Sequence, residues 1–403
     1  MGKLTVLLQV DAFRHDYLEK NSTPFLYSLF KDSGSGVLKP TFGFEPDAAY
    51  IAGLYPDEAD GGAQFWFDAD MSPFKIFQYA PKVLSNLPHI PDRVLRKIIQ
   101  KLVGKYCDAP TFSTASVPLH LLHNFSFPMQ HRMHHPNFCA SKSIFDLLRE
   151  QNKKWLFHCN PDFKVSLEAV IQRVKTDLLP PIEFSFFLIG DLDRIGHRYG
   201  PESKELKEEL MKIDIGLNTI LNFAKERFDE VNFMVIGDHG MVQVNETLDV
   251  QNIISRLPND VLKNCHYFLD STMARFWFTT EKAKEAVVSI LNGIECGHMI
   301  SQEEKDRYHL NYKHNKFGDL IFIVNPGVLI HPSFYGTRTP VKGMHGYLPE
   351  ISGQQSLWLL NSTKINYPVH NPEPLDMRRV FPTLVALSEL ELPEACKLKK
   401  LYD

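Results

Sequence analysis

The stretch FSFFLIGDLDRIGHRYGP, Phe184 to Pro201, joins a continuous apolar run to a polar segment rich in acids and histidine. A short apolar run without alternation is typical of a strand that is buried on both faces of a parallel sheet. Three other runs have the same character: TVLLQV at 5–10, KWLFHC at 154–159 and NFMVIG at 232–237. We therefore predict that these four segments are buried strands.

Amphipathic helical patterns separate the predicted strands. They begin near residues 23, 141, 165 and 201, and the last of them is the longest. Towards the end of the chain, SLWLL (356–360) resembles a further strand and MRRVFPTLVALSEL (377–390) a closing helix. This alternation predicts an α/β fold in which a largely parallel central sheet is flanked by helices.

Two long segments interrupt the alternation and divide the chain into a core and two insertions. The segment 61–138 is rich in aromatic residues and histidine. It forms either a small core of its own or a cap that recognises the organic part of a substrate. The segment 265–340 has strand patterns and one helical pattern, which predict a small α/β subdomain. The predicted core then consists of 1–60, 139–264 and 341–403.

The composition of the 403 residues bears on the expected partners and on the expected cellular compartment. A net charge of −4 gives no reason to expect nucleic acid. The basic helical pattern near 91–106 leaves contact with a membrane surface as an open alternative. The six cysteines form no CxxC pair, which argues against a disulfide framework. Because TVLLQV is too short for a signal peptide or a membrane span, we expect a cytoplasmic protein. The oligomeric state is not indicated.

Acidic residues follow three of the predicted strands where each strand ends: Asp11, Asp191 with Asp193, and Asp238. Any one of them is typical of a helix cap or a turn. The carboxyl ends of parallel strands meet at one edge of a sheet, however, and histidines accompany two of these acids at His197 and His239. Imidazole and carboxylate together suit Zn²⁺ or Mn²⁺, and clustered carboxylates repel one another without a cation between them.

The order of the motifs resembles the alkaline phosphatase superfamily, and within it the nucleotide pyrophosphatase/phosphodiesterase branch. The motifs are, in order, Asp11 after the first strand, GLYP at 53–56, DRIGHRYGP at 193–201, IDIGL at 213–217, GDHGM at 237–241 and MHGY at 344–347. The resemblance implies two divalent cations, Zn²⁺ first and Mn²⁺ as the alternative. It implies that one cation is held by Asp193, His197 and His345, and the other by Asp11, Asp238 and His239.

The resemblance implies a two-metal hydrolase whose substrate is a small-molecule phosphodiester, pyrophosphate or phosphomonoester. Two cations a few ångströms apart would stabilise an in-line displacement at phosphorus. A sulfatase is disfavoured because the chain contains no CxPxR or SxPxR element. The alternative from a different class is a metal-binding pseudoenzyme or binding protein that lacks the usual nucleophile.

The nucleophile does not fit the family pattern, which has Thr followed by Phe about ten residues before the Gly of a GLYP-like element. Counting back from Gly53 reaches Gly43, and Thr41 lies two positions earlier. Three interpretations stay open. A turn at Gly43 could bring Thr41 to the metals as the catalytic nucleophile. Glu45 or Asp47 could act as a base or an extra ligand, with water attacking. Otherwise the site binds metal and phosphate but catalyses poorly. The acids could also be structural, since Pro46 and Asp47 suit the first turn of a helix.

Overall fold

A seven-stranded sheet with the order β17-β2-β16-β7-β1-β6-β5 forms the centre of the computed structural model. The structure describes residues 2–75, 78, 101, 117–128, 131–136, 138–159, 165–336, 338–365 and 369–403. Strands β7, β1, β6 and β5 are parallel, and β16 is antiparallel to both of its neighbours, β7 and β2. The predicted α/β fold with a largely parallel sheet is therefore confirmed.

Seventeen strands are assigned in the part of the chain that the structure describes. Their bounds are β1 Lys3–Val10, β2 Gly34–Lys39, β3 Trp66–Phe67, β4 Phe125–Ser126, β5 Trp155–His158, β6 Phe184–Ile189, β7 Glu230–Ile236, β8 Val242–Gln243, β9 Glu246–Leu248, β10 Cys265–Leu269, β11 Met273–Phe278, β12 Gly297–Met299, β13 Leu320–Val324, β14 Val328–Ile330, β15 Gly343–Met344, β16 Ser356–Asn361 and β17 Val369–Asp376. The four strands predicted as continuous apolar runs correspond to β1, β5, β6 and β7. Every residue of β6 is buried, as a strand covered on both faces requires.

Twelve α-helices are assigned in the same described residues. They are α1 Pro24–Phe30, α2 Asp47–Ala52, α3 Leu119–Leu122, α4 Ile144–Glu150, α5 Leu167–Asp177, α6 Asp191–Tyr199, α7 Lys204–Lys225, α8 Val250–Ser255, α9 Asn259–Leu262, α10 Glu281–Leu291, α11 Gln302–Tyr308 and α12 Val380–Leu387. The long helix α7 begins at the cap residue Ser203, whose hydroxyl accepts a hydrogen bond from Leu206 N. Its buried stripe packs against α5, α6 and α1. No described helix is both long enough and apolar enough to span a membrane.

Strands β2 and β17 and helix α6 are among the elements that were not predicted from the sequence. Strand β17 contains Pro372 and Pro374 and lies at the edge of the sheet, where a missing backbone N–H is tolerated. Strand β2 is short and contains two glycines, so its pattern is weak. Helix α6 has Gly196 near its centre and two acids in its first turn, which hide its helical period. All three elements lie near the functional residues discussed below.

A second sheet, with the order β10-β11-β13-β12, is antiparallel and lies within the predicted subdomain 265–340. Its buried Arg275 forms an ion pair with Asp270, at 2.7 Å, and donates a hydrogen bond to Phe65 O, at 2.8 Å. The predicted domain boundaries stay predictions. Strand β9, on the core side of the predicted boundary at 264/265, pairs with β14 on the subdomain side.

The described part of the segment 61–138 packs against this second sheet. Phe65 stacks on Phe268, and Phe125 lies edge-on to the same ring. These aromatic side chains therefore belong to a hydrophobic core shared with the second sheet. The basic helical pattern near 91–106, and with it the prediction of membrane contact, lies outside the described residues apart from Lys101.

Candidate metal centre

Three neighbouring strands bring the predicted acidic ligands to one edge of the central sheet. Asp11 follows β1, Asp238 follows β7, and Asp193 lies in the first turn of α6 directly after β6. Since the sheet order is β7-β1-β6, the three carboxylates come from adjacent positions.

The first group of facing ligand atoms comprises Asp193, His197 and His345, and it could hold one ion. His197 lies one helical turn after Asp193, and its Nε2 is 3.1 Å from Asp193 Oδ1. His345 Nε2 is 3.7 Å from the same oxygen, although it follows β15 on a distant part of the chain. This is the set that the sequence motifs assigned to one cation.

The second group comprises Asp11, Asp193 and His239. His239 Nε2 lies 3.4 Å from Asp11 Oδ1 and 3.7 Å from Asp238 Oδ2. Asp193 thus belongs to both groups, whereas the sequence motifs placed Asp238 in the second one. The structure brings together all six predicted ligands, and Asp193 lies between the two groups.

Asp238 is fixed by three N–H donors from the protein. Gln9 Nε2 donates to Oδ2 at 2.8 Å, while Ala12 N and His239 N donate to Oδ1 at 3.1 and 3.0 Å. Hydrogen bonds of this kind stabilise an ionised carboxylate and hold it in one orientation.

Two of the histidines have their Nδ1 atoms next to backbone carbonyl oxygens. His197 Nδ1 lies 2.8 Å from Gly343 O, and His239 Nδ1 lies 2.9 Å from Gly240 O. A proton on Nδ1 leaves Nε2 as a lone-pair donor, and both Nε2 atoms face carboxylates. This tautomer is the one in which an imidazole binds a metal through Nε2.

Gln354 connects the two loops that carry His239 and His345. Its side-chain Oε1 accepts hydrogen bonds from Gly346 N and Tyr347 N, at 2.9 and 3.1 Å. Its backbone carbonyl accepts one from Gly240 N at 2.8 Å. The rings of the two histidines stack with their centroids 3.7 Å apart. Gln354, which is almost fully buried, therefore sets the relative position of these imidazoles.

We expect that Gln354→Met lowers Zn²⁺ affinity by about 10- to 100-fold, because it removes the acceptor for two N–H groups beside His345. Gln354→Glu retains an acceptor oxygen and should recover most of that loss. Competition with a chromophoric chelator measures the affinity. The control is Gln355→Met at the neighbouring position, whose amide contacts Glu350 O instead. Equal affinity in Gln354→Met and in the control would show that the loops do not depend on this contact.

The electrostatics of the site are those of a buried anionic cluster. Burial and the neighbouring Asp238 and Asp193 raise the pKa of Asp11 well above its usual range. Burial also tends to raise the pKa of Asp193, but His197 and the other two imidazoles outweigh it and lower that pKa overall. Burial and the approach of His239 lower the pKa of His345.

The residues present fit a pair of divalent cations. Among the described residues, the buried oxygens Asp11 Oδ1 and Asp193 Oδ1 accept no hydrogen bond. The buried Nδ1 of His345 has no hydrogen-bond partner either. Buried carboxylate oxygens are normally paired or bound to a metal. Three carboxylates and three imidazoles are the donor set that Zn²⁺ and Mn²⁺ accept.

Thr41, the predicted nucleophile, lines a different cavity of about 60 Å³. None of the six predicted ligands lines it; the lining includes Lys39, Tyr55, Tyr308, Glu350 and Asp376. The adjacent Phe42 is buried against Tyr308 and Phe317, which fixes the direction of the chain at this point. The interpretation in which Thr41 reaches the metals is therefore not supported by its position.

Gly43 and Phe44 show how the chain turns after Thr41. Gly43 has a φ of +107°, and a Cβ atom there would overlap the carbonyl oxygen of Gly62. The ring of Phe44 then lies edge-on to His345, with the centroids 5.7 Å apart. The position where the family pattern has Thr is consequently a close contact between two backbones, which excludes a side chain.

Asp47, in the first turn of α2, is the acidic residue of the segment 41–47 that lies beside the predicted ligands. It interacts electrostatically with Asp11, Asp238 and His239. Its Oδ1 is 2.6 Å from the hydroxyl of Tyr50, one helical turn later. Burial raises the pKa of Asp47 to about 6, against the hydrogen bond from Tyr50, which lowers it.

A buried chain of polar side chains links Asp47 to Asp238. The Tyr50 hydroxyl is also 2.7 Å from Gln9 Oε1, and the Gln9 amide donates to Asp238. The sequence analysis missed Gln9, Tyr50 and Gln354. Gln9 had a visible signal, since it is a polar residue inside the apolar run TVLLQV, and a buried amide needs partners.

Glu45 hydrogen-bonds with Gln64, and burial and the proximity of Asp47 raise its pKa to about 8 from 4.5. Between these values the unfolded chain ionises while the folded protein retains the proton, so native stability falls as pH rises. We expect Glu45→Gln to remove this loss. Because the Glu45 side chain is partly exposed, solvent screens part of this effect. The free energy of unfolding of Glu45→Gln should therefore rise by only about 1–2 kcal/mol relative to the parent between about pH 5 and pH 9. Urea denaturation of the metal-free proteins measures it, and parallel stability curves would contradict the assignment.

The sequence profile described as type I phosphodiesterase / nucleotide pyrophosphatase matches residues 5–348. The chain is 23% identical over 274 residues to "Alkaline phosphatase PhoV" of Synechococcus elongatus, covering 59% of this chain and 47% of that protein. It is 24% identical over 261 residues to "Bis(5'-adenosyl)-triphosphatase ENPP4" of Homo sapiens, covering 60% and 48%. The chain thus spans about half the length of these two curated relatives.

The solved structure of human ectonucleotide pyrophosphatase / phosphodiesterase 5 has the same fold. It superposes with a TM-score of 0.70 at 16% sequence identity, over 97% of this chain and 96% of that one. At this identity the likeness concerns the fold: a large, mostly parallel sheet flanked by helices, as in alkaline phosphatases.

Proposed function

The chain belongs to the type I phosphodiesterase / nucleotide pyrophosphatase family, and on this premise we propose that it hydrolyses a phosphodiester or pyrophosphate bond with two divalent cations. The resemblance drawn from the motifs is confirmed at the level of the family. We propose Zn²⁺ as the cation, with Mn²⁺ as the alternative, and a small-molecule phosphate ester as the substrate. Phosphomonoesters stay within the proposed class.

One observation carries the proposal: three carboxylates, each buried or partly buried, and three imidazoles converge at one edge of the sheet. Asp11 and Asp193 each have a buried oxygen without a donor among the described residues. Asp193 is shared by two groups that could each hold an ion. A catalytic site of this kind holds cations in fixed positions, where they would stabilise the negative charge of a phosphoryl group.

The side chains of the protein position the reacting groups. His197 and His239 are oriented through Nδ1 by backbone carbonyls, which directs Nε2 towards the carboxylates. Asp238 is held in one orientation by three N–H donors. When bound, two cations neutralise the charge of the phosphate and stabilise the leaving oxygen. The residues thereby keep a phosphate ester in a fixed orientation for in-line attack.

We propose that water attacks phosphorus and that Asp47 orients it. Asp47 Oδ1 accepts a hydrogen bond from Tyr50, so that Oδ2 is the oxygen to contact the water. Thr41 is disfavoured as the nucleophile because its cavity contains none of the predicted ligands. A phosphorylated Thr41 would be the intermediate of the competing mechanism.

Two variants distinguish these mechanisms. Asp47→Asn should lower kcat about 100-fold with little change in KM, because it weakens a contact to the attacking water. Thr41→Ala should stay within about threefold of the parent, since Thr41 contacts neither the water nor the predicted ligands. Steady-state kinetics on an activated phosphodiester measure both. The opposite ranking of the two variants would restore Thr41 as the nucleophile.

The proposed activity is tested by the release of p-nitrophenol from bis(p-nitrophenyl) phosphate. The protein loaded with Zn²⁺ or Mn²⁺ should turn this diester over, and Asp238→Ala should not. If two metals are bound and neither phosphodiesters nor phosphomonoesters are hydrolysed, the hydrolase proposal fails.

A metal-binding protein without catalysis is the second candidate, and a specific observation favours it. Thr41 lies in a separate cavity, and position 43, where the family pattern has Thr, is a glycine that excludes a side chain. In this case the protein would bind two metals and a phosphate ester with measurable affinity and release no product. The Asp47→Asn variant would then change binding and nothing else.

A further inference from the structure

A cavity of about 380 Å³ opens directly onto the first group of predicted ligands. His197 and His345 form part of its wall, and Phe44, whose ring lies edge-on to His345, forms another part. Its volume falls within the range of sites for small organic molecules. A ligand whose phosphoryl group meets His197 and His345 would therefore extend its organic group into this cavity.

The apolar wall of the cavity is formed by the chain from β14 to β15. Leu329 and Ile330 belong to β14, Val341 precedes β15, and Met344 belongs to β15. All four pack on the second hydrophobic core. The wall is anchored, since Ile330 N donates to Ser271 O and the neighbouring Phe334 N donates to Leu269 O. Apolar side chains thus present a fixed surface to the ligand.

The described residues that line the cavity include no Lys, Arg, Asp or Glu. The polar lining consists of three histidines, His197, His331 and His345, and of hydroxyl and amide groups, among them Ser271, Ser333 and the phenol of Tyr335. Acids lie beyond the wall: Asp193 Oδ1 is 3.1 Å from Nε2 of the lining residue His197. Glu45 hydrogen-bonds with the lining residue Gln64 and interacts electrostatically with Tyr335. A second anionic group in this cavity would lose its hydration without gaining a cation. An apolar group would gain from leaving water.

We propose that this cavity binds an uncharged, apolar ester group of the substrate and rejects a group that carries further phosphates. The inference rests on the proposed function, because it places the phosphoryl group at His197 and His345. It assigns the substrate class as phosphate esters of an aliphatic or aromatic alcohol, in preference to esters that carry an oligophosphate.

The test uses alkylphosphonates, which carry the phosphoryl group but are not hydrolysed. Isothermal titration calorimetry of the Zn²⁺-loaded protein compares methyl-, butyl- and hexylphosphonate with butane-1,4-bisphosphonate. We expect the affinity to rise by about fourfold per methylene from methyl to butyl. The bisphosphonate should bind at least about tenfold more weakly than butylphosphonate, since its second anion finds no cation. Affinity that is independent of chain length, or absence of binding, overturns the inference, as does tighter binding of the bisphosphonate.

A charge variant gives the matched control. Val341→Lys places an ammonium group on the wall and should reverse the preference, so that the bisphosphonate binds more tightly than butylphosphonate. Ile215→Lys puts the same charge on the exposed face of α7, away from the cavity, and should leave the parent ranking unchanged. An unchanged ranking in Val341→Lys would contradict the placement of the organic group. Failure of the proposed hydrolysis is seen separately, as no release of p-nitrophenol from bis(p-nitrophenyl) phosphate while the phosphonate ranking holds.

Discussion

Asp193→Ala is expected to lower kcat/KM for bis(p-nitrophenyl) phosphate by about 1000-fold or more and to reduce the bound metal from two ions to fewer than one. The reason is the position of this carboxylate, which belongs to both groups of facing ligand atoms. Its Oδ1 lies 3.1 Å from His197 Nε2 and 3.7 Å from His345 Nε2. Loss of this side chain therefore removes a ligand from each cation and leaves the imidazoles without their anionic partner.

The control for this variant is Asp191→Asn on the same helix. Asp191 is more deeply buried than Asp193, but its oxygens accept hydrogen bonds from Leu167 N and Arg194, and it belongs to neither group. We expect Asp191→Asn to lower stability and to retain two metals per chain. Metal analysis of the dialysed proteins and steady-state kinetics measure both variants. Two tightly bound metals in Asp193→Ala would contradict the role of this residue as a shared ligand.

Gly43→Thr is expected to lower the free energy of unfolding by about 4 kcal/mol without increasing activity. The substitution restores a hydroxyl at the position where the family pattern has one. However, Gly43 has a φ of +107°, which a β-branched residue rarely adopts, and its added Cβ would overlap Gly62 O. Phe44 N donates to the same carbonyl at 3.0 Å, so that the backbones cannot separate without losing this hydrogen bond.

The control is Gly293→Ala, where the nearest atom to an added Cβ is Ile290 O at an ordinary 3.5 Å. We expect this change to alter stability by less than about 1 kcal/mol. Urea denaturation of the metal-free proteins gives both values. If Gly43→Thr were as stable as the parent and hydrolysed the diester faster, the turn would be flexible enough to accept a nucleophile there.

The buried strands of the sheet and the acids and histidines at their ends were accessible from local patterns in chain order, whereas His345 was implied only by the resemblance to the family. Buried strands give continuous apolar runs, and their carboxyl ends in a parallel sheet must meet. Asp11, Asp193 and Asp238 could thus be placed together without knowing a single distance. Their roles as metal ligands stay predictions that the experiments above test.

The conformation of the segment 41–47 could not be predicted, because contacts with distant residues decide which way its side chains point. Phe42 packs against Tyr308, and Gly43 lies against Gly62. These contacts turn Thr41 into one cavity and place Asp47 beside the predicted metal ligands. Gln354 shows the same limit, since its hydrogen bonds to the loop of His345 depend on how two loops meet in space.

Strand β17 and helix α6 were missed for a related reason. Strand β17 contains two prolines, and helix α6 contains a central glycine, so local propensity opposes both. Tertiary packing stabilises them: β17 pairs with β2, and α6 packs against α7. Helix α6 is the element that carries Asp193 and His197, so the functional site lies where local sequence preference is weakest.

In the proposed site, two cations share Asp193 as a ligand, and the carboxylate of Asp47 lies beside both. The most direct measurement is an anomalous difference map at the zinc absorption edge, from crystals of the Zn²⁺-loaded protein. We predict two peaks, one bounded by Asp193, His197 and His345 and the other by Asp193, Asp11 and His239. The carboxylate of Asp47, and not the hydroxyl of Thr41, should lie next to them. A single peak, no peak, or a Thr41 hydroxyl in contact with zinc would contradict this prediction.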